Sequence, residues 1–259
     1  MTSRAPDTWQ RIVVLSRDDY NRARIVSPQL LADPLTRVIA LPLRSPDSED
    51  PALLALGNEI RPSAVLLRNT WGSDAYIDAA AAYEVISLAK FNLFANVCQM
   101  LGATRLEVEE IREVNADGKV KGRATFRTSA TKGSGRLKSE SSRRVAQSIQ
   151  GLWVWQSGSA DVERAAAYAT AKHLDNDPVI TGLIQQRRFT GNALTEHKLT
   201  LNITSEAQRI IRATLNVKSV LGPLGPAFKG TFESLQKHSV QLELKIWAVF
   251  PAPAVTTHG

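Results

Sequence analysis

The most regular stretch of this chain is VQLELKIWAVF, residues 240–250. An apolar series occupies every second position of it: Val240, Leu242, Leu244, Ile246, Ala248 and Phe250. A β-strand presents residues to one face with this period of two. Pro251 cannot donate to a sheet ladder, so we predict that the strand ends at Phe250 and that residues 251–259 form a frayed tail.

The residues upstream of this strand alternate in the same way. Two further apolar series have a period of two: Leu199, Leu201 and Ile203, and then Ile211, Ala213, Leu215 and Val217. A Gly- and Pro-rich break at residues 222–226 separates them from the last strand. We therefore predict a long amphipathic hairpin between Lys198 and Phe250.

Residues 105–155 repeat this order of predicted elements, although the amino-acid sequences of the two regions are not similar. Residues 106–111 are predicted to be a strand, and Asp117-Gly118 between alternating segments is a good hairpin signal. A basic alternating segment follows, then a polar, Gly-containing stretch over residues 128–142. Residues 145–155, which end in Trp155, are predicted to be another strand.

A long helix is predicted from about Ser73 to Leu101, with Ser73 or Asp74 as its N-cap and Gly102 as its left-handed C-terminal residue. Short strands are predicted at residues 12–15, 38–41 and 64–67, with residues 1–63 otherwise irregular. Residues 159–189 are predicted to form two helices, the second capped by Asp177. These elements predict an α+β fold in one domain, residues 1–259: a twisted, mainly antiparallel sheet with packed helices.

Composition limits the classes of function. The chain has 259 residues and a net charge of +7, which favours anionic partners such as nucleic acid or acidic lipid. Its single cysteine, Cys98, excludes an intrachain disulfide, fits a reducing cytoplasmic location and is predicted to be a small core residue. We expect no secretion signal and no transmembrane helix, because Asp78, Glu84 and Lys90 interrupt the best apolar candidate.

The sequence contains no recognisable catalytic constellation. It has no Gly-rich nucleotide-binding motif, no zinc-protease motif and no nucleophile elbow. The four histidines are scattered without metal-ligand spacing. We therefore expect a protein that is not an enzyme and has no catalytic residue, cofactor or metal site.

The strongest local chemistry is a basic block over residues 119–144, in which Glu140 is the only acid after Lys119. Its members are Lys119, Lys121, Arg123, Arg127, Lys132, Arg136, Lys138, Arg143 and Arg144. A smaller cluster consists of Arg187 and Arg188 beside Phe189. Near an anionic surface each Lys or Arg contributes about 1 kcal/mol, so several together bind reversibly without a pocket.

Three interpretations of the basic block stay open at this point: a solvated face, a nucleic-acid surface and a lipid surface. Nucleic-acid platforms usually interleave aromatic residues with basic ones, whereas Trp153, Trp155 and Trp247 lie at strand ends. Aromatic residues at strand ends are typical of a membrane–water interface. They are equally compatible with closing a soluble core.

Four segments together resemble the pore-forming domain of gasdermins, in particular short fungal gasdermin-like cell-death proteins. They are VLLRNTW at residues 65–71, DGKVKG at 117–122, the polar stretch 133–142 with 145–155, and the Gly-rich tip and strand at 222–250. The resemblance covers about residues 64–250, and residues 1–63 match poorly. Family members usually have a basic amphipathic helix there, to which Arg11, Arg22 and Arg24 could belong within the limits set by Pro28 and Pro34.

The resemblance implies a function. It implies a cytoplasmic protein that binds acidic phospholipids, oligomerises with itself or with a related chain, and inserts two hairpins as a β-barrel in the plasma membrane, causing lytic cell death. The basic block, with Arg187 and Arg188, would bind lipid, and no inhibitory domain would follow residue 250. The residues expected to insert are Val120, Ala124, Phe126, Ile149, Trp153, Ile211, Leu215, Val217, Val240, Leu242, Leu244 and Ile246. The alternative is a basic nucleic-acid-binding α+β module that never inserts, although no nucleic acid is expected as partner.

Overall fold

The structure is a computed structural model that describes residues 9–71, 75–115, 117–126, 135–149, 152–156, 159–189, 194–216, 228–237 and 240–251. The chain has an α+β fold, as predicted. It forms two compact units: unit 1 comprises residues 1–86 and 206–239, and unit 2 comprises residues 87–205 and 240–259. That both units belong to a single domain stays a prediction.

Unit 1 contains a four-stranded sheet in the order β2-β1-β3-β4. The strands are β1 (Arg11–Ser16), β2 (Thr36–Leu41), β3 (Val65–Arg68) and β4 (Tyr76–Asp78). β1 and β2 are parallel because helices α1 (Arg17–Val26) and α2 (Pro28–Ala32) carry the chain back between them, and the other pairs are antiparallel. The three strands predicted in residues 1–67 are confirmed.

The prediction that residues 1–63 are irregular apart from short strands is wrong. Part of the region predicted to be irregular is helix α1, which Ser16 caps by accepting a hydrogen bond from the amide N–H of Asp19 at 3.1 Å. A short helix α3 (Pro51–Leu54) follows β2, and the core is built around Ile12, Val14 and Leu66.

The long helix, α4 (Ala79–Met100), begins later than predicted. Residues 76–78 instead pair with β3 as an edge strand, and the Asp78 carboxylate then accepts from the amide of Ala80 at 2.8 Å. Ser73 and Asp74, the predicted N-caps, lie outside the described residues. The C-terminal prediction is confirmed, because Gly102 has a φ of 81°.

Unit 2 contains the larger sheet, in the order β7-β6-β5-β10-β9, with β8 also paired to β5. Its strands are β5 (Arg105–Val114), β6 (Val120–Thr125), β7 (Gly135–Arg136), β8 (Leu152–Val154), β9 (Glu196–Asn202) and β10 (Gln241–Val249). β10 lies between β5 and β9 and is antiparallel to both. The alternating apolar residues of β10 face the core as predicted, since Leu242, Leu244 and Ile246 are buried and the residues between them are not.

The hairpin between β5 and β6 is confirmed. Gly118 has a φ of 75°, which a side chain would disfavour, and the amide of Lys119 donates to the Asn115 side chain at 2.7 Å. The two strands are antiparallel, with Arg112 opposite Arg123 and Glu113 opposite Gly122.

The predicted strand over residues 145–155 is wrong for most of its length. Residues 140–149 form helix α5 (Glu140–Ile149), and only Leu152–Val154 are a strand, β8. The buried residues of α5 include Ser142, Val145, Ala146 and Ile149, whose spacing of three and four is helical. The period of two predicted for residues 145–155 does not describe these buried positions.

The alternating series that contains Ile211 and Leu215 is also not a strand in this fold. It is helix α8 (Ser205–Leu215), followed by helix α9 (Lys229–Lys237). Ala207, Ile211 and Thr214 are buried with helical spacing. Val217 and the predicted break at residues 222–226 lie outside the described residues.

Helices α6 (Val162–Ala171) and α7 (Pro178–Arg188) confirm the prediction of two helical pieces. Asp177 caps α7 by accepting from the amide of Val179 at 3.0 Å. The ammonium group of Lys90 lies 2.5 Å from the same carboxylate and donates to the Ser205 hydroxyl at 2.8 Å. Cys98 is buried in the core, as predicted, and burial raises the pKa of its thiol.

Candidate functional site

The basic block lies at one edge of the unit 2 sheet. The residues before β6, β6 itself, β7 and the start of α5 carry all of its described members. Each of these members is exposed: Lys119, Lys121, Arg123, Arg136, Lys138, Arg143 and Arg144. Arg127 and Lys132 lie outside the described residues. The structure thus brings together cations that are spread over 26 positions of sequence.

Two of the exposed cations are neutralised by neighbouring carboxylates. Arg123 is ion-paired with Glu110, and Arg144 is paired with Glu140 at 3.3 Å. Among the described residues, no carboxylate lies within salt-bridge distance of the remaining five. We call these five the basic surface: Lys119, Lys121, Arg136, Lys138 and Arg143.

Glu110 shows why Arg123 does not belong to this surface. Its carboxylate is also within 3.0 Å of Arg112 and 3.3 Å of Lys245. Burial opposes ionisation of this carboxyl, but the hydrogen bonds from Arg112 and Lys245 and the charges of Arg112 and Arg123 outweigh it, so the pKa of Glu110 is lowered. Three cations therefore share one carboxylate on the polar face of the sheet.

The unit 2 sheet carries three exposed aliphatic side chains. Val120 lies between Lys119 and Lys121 within the basic surface and is exposed. Leu152 and Val154 are exposed on β8, which pairs with Arg105–Glu107 at the other end of β5. An apolar residue among cations, as at Val120, is typical of surfaces that bind at a lipid interface.

Two of the tryptophans at strand ends, Trp153 and Trp247, make internal contacts in this fold. The ring of Trp153 packs edge-on against Phe91, with a centroid distance of 5.0 Å. Trp247 lies beneath Arg105 at 5.0 Å, and its indole N–H donates to Glu196 at 3.2 Å. Neither tryptophan is a fully exposed anchor.

The residues predicted to insert into lipid are mostly inside the protein. Those buried are Ile149, Ile211, Leu242, Leu244 and Ile246. Those half-buried are Ala124, Phe126, Trp153, Leu215 and Val240. Only Val120 is exposed, and Val217 lies outside the described residues. Contact between lipid and the buried set would require this fold to rearrange.

The second basic cluster, at the end of α7, is already engaged. Arg187 donates to the carbonyl of Leu194 at 2.7 Å and lies over the ring of Phe250 at 4.6 Å. Burial lowers the pKa of its guanidinium. Arg188 is exposed but lies 3.3 Å from the carboxylate of Glu163. This cluster therefore offers less free charge than the sequence suggested.

Sequence reasoning left the end of α1 out of the candidate site. Arg22, Arg24, Ile25 and Val26 are all exposed there, and Ile25 is 81% exposed. The signal in the sequence was the run RARIV at residues 22–26, where two cations are followed by two large apolar residues. Arg11, considered for the same helix, is buried in β1 and paired with Asp33 at 2.9 Å.

Among the described residues, no group of His, Cys, Asp or Glu side chains could hold a metal ion. A cavity of about 110 Å³ in unit 1 is lined by Gln10, Arg68, Thr70, Arg209, Ile210 and Ala213. This lining holds no carboxylate, thiol or imidazole for nucleophilic or acid–base catalysis.

None of the helices in the described ranges combines the length and the apolar character that crossing a membrane requires. Comparison with known proteins adds no relative: no family model matches the chain, and neither a curated protein nor a solved structure matches it.

Proposed function

We propose that this protein binds acidic phospholipid membranes, self-associates on them and permeabilises them. The observation that carries the proposal is the basic surface, in which five exposed cations have no acidic partner among the described residues. At about 1 kcal/mol each, they would contribute about 5 kcal/mol of attraction to an anionic membrane. That is enough for reversible docking without a binding pocket.

The exposed apolar residues of the unit 2 sheet support lipid over nucleic acid. Val120 within the basic surface, and Leu152 and Val154 on β8, are aliphatic and exposed, so they suit insertion between lipid headgroups. A nucleic-acid platform instead stacks bases on exposed aromatic rings. Trp153 of β8 is half-buried against Phe91 and offers no such ring.

The end of α1 gives unit 1 a surface of the same chemistry. Arg22 and Arg24 supply charge, and Ile25 and Val26 supply apolar contact. Among the described residues, neither arginine has a carboxylate within salt-bridge distance. This helix end is therefore a second candidate lipid-contact surface, in unit 1.

Permeabilisation would use the two segments that leave and re-enter the unit 2 sheet. One runs from β6 through α5 to β8, and the other from β9 through α8 and α9 to β10. The α8 sequence fits both periodicities: it buries a helical face here, yet Ile211, Ala213 and Leu215 alternate with polar residues as in a strand. Refolded as strands of about ten residues within a closed barrel, such segments could span a bilayer with their backbone groups paired.

The full chain should be mixed with dye-loaded vesicles of phosphatidylserine and phosphatidylcholine, and with vesicles of phosphatidylcholine alone. We expect co-sedimentation, cross-linkable oligomers and dye release with the acidic vesicles only. A single-stranded RNA competitor added to the same assay tests the alternative function, which is nucleic-acid binding without membrane insertion. Tight RNA binding without dye release from acidic vesicles would contradict the proposal.

A further inference from the structure

Glu113 is a carboxylate on the apolar face of the unit 2 sheet. It belongs to β5, where its strand partners are Leu242 of β10 and Gly122 of β6, and it is 1% exposed. Removing a charged carboxylate from water is costly unless other partners replace the water. Among the described residues, no Lys or Arg side chain lies within salt-bridge distance of it.

The partners of this carboxylate are the backbone amides of the two residues that precede α5. The amide of Lys138 donates to Oε2 at 2.7 Å, and the amide of Ser139 donates to Oε1 at 2.8 Å. The N-terminus of a helix carries a partial positive charge, which favours a carboxylate close to it. Glu113 therefore ties the segment that leads into α5 to strand β5.

Strand β6 is built around the same carboxylate. A Cβ at Gly122 would overlap a carboxylate oxygen of Glu113 and lie 3.0 Å from the carbonyl oxygen of Arg136. Only glycine leaves the carboxylate room to reach both amides. One side chain thus joins β5, β6 and α5.

We propose that Glu113 is a latch that holds α5 on the sheet, and that its release is the first step by which β6 and α5 leave this fold. The biological role of that release, membrane insertion, rests on the proposed function. When α5 departs, the amides of Lys138 and Ser139 gain water, but the carboxylate stays on an apolar face without these partners. Release of α5 and loss of the β5–β6 arrangement are therefore coupled.

The test is amide hydrogen exchange of the full chain carrying Glu113→Gln, which removes the charge at nearly constant shape. We expect exchange at residues 140–149 to become at least about tenfold faster, while β9 and β10 keep their rates. Glu107→Gln is the matched control, because Glu107 is also a buried β5 carboxylate but accepts from the Arg105 side chain at 2.5 Å. The control should leave α5 exchange unchanged.

Gly122→Ala provides an independent second variant, since its methyl group displaces the carboxylate while keeping its charge. The same selective acceleration is expected. Unchanged exchange, or acceleration spread evenly over both sheets in both variants, would overturn the latch. Dye release from acidic vesicles is measured in parallel. Selective acceleration together with no release, even by the wild-type chain, would leave the latch standing and reject the proposed function.

Discussion

The basic surface makes a quantitative prediction about membrane binding. Its five cations are replaced together by glutamine: Lys119, Lys121, Arg136, Lys138 and Arg143. At about 1 kcal/mol per charge the variant loses about 5 kcal/mol of attraction, which is a fall in vesicle affinity of about 4000-fold. All five side chains are exposed, so the fold should keep its stability within about 0.5 kcal/mol per site.

Sedimentation with acidic vesicles at low salt measures this loss. The control variant replaces five other exposed cations, each already paired with a carboxylate: Arg61, Arg188, Lys198, Arg209 and Lys229. The control variant loses the same five positive charges from a chain of net charge +7, but it keeps the basic surface. It therefore distinguishes docking by the basic surface from attraction by the net charge of the whole chain. We expect the control to sediment nearly as the wild type does.

Salt should act on the wild type in the same direction as the fivefold replacement. Raising the salt from about 0.1 M to about 1 M shortens the Debye length from about 10 Å to about 3 Å, so initial binding should weaken. Equal sedimentation of the fivefold variant and the wild type would refute the docking argument. Equal losses in the variant and the control would show that net charge alone attracts the chain to the membrane.

Three further predictions concern the fold. Leu244→Ala should lower the free energy of unfolding by about 2–5 kcal/mol in urea titrations, because Leu244 is fully buried at the centre of the larger sheet. Lys90→Met should cost about 3 kcal/mol by the same measurement, since it leaves the Asp177 carboxylate without its cation, and a neutral effect would show that the pair is dispensable. The pKa of Glu110 is lowered in the folded protein. Its contribution to folding stability is therefore fully present above the pKa of an unfolded glutamate, about 4.3, and is lost as the pH falls through the folded pKa. Glu110→Gln should therefore lose less stability than the wild type between about pH 5 and about pH 3, and equal acid sensitivity would exclude this carboxylate as a contributor.

The sequence was most informative where one periodicity stood alone. Residues 240–250 alternate without a competing helical spacing, and they form the central strand β10. Asp117-Gly118 and Asp177-Pro178 have local backbone requirements, so the β5–β6 turn and the start of α7 were predictable from a few residues.

The sequence misled where two periodicities overlap. Ile211 belongs both to an alternating series and to a helical face with Ala207 and Thr214, and the structure buries the helical face. The segment that leads into α5 is held by Glu113, a residue far away in the chain, so no local pattern could reveal it. The same limit applied to the basic block, because ion pairs to Glu110 depend on sheet pairing.

The central claim is that α8 changes from helix to strand on an acidic membrane. Single cysteines labelled with a polarity-sensitive dye at residues 210–216 test it directly, in solution and on vesicles. Cys98 can stay in place, because it is buried and burial raises the pKa of its thiol, which disfavours labelling. On the membrane we predict a period of two, with labels at 211, 213 and 215 in lipid and labels at 212, 214 and 216 in water. A helical spacing of three and four that persists on acidic vesicles would contradict the account.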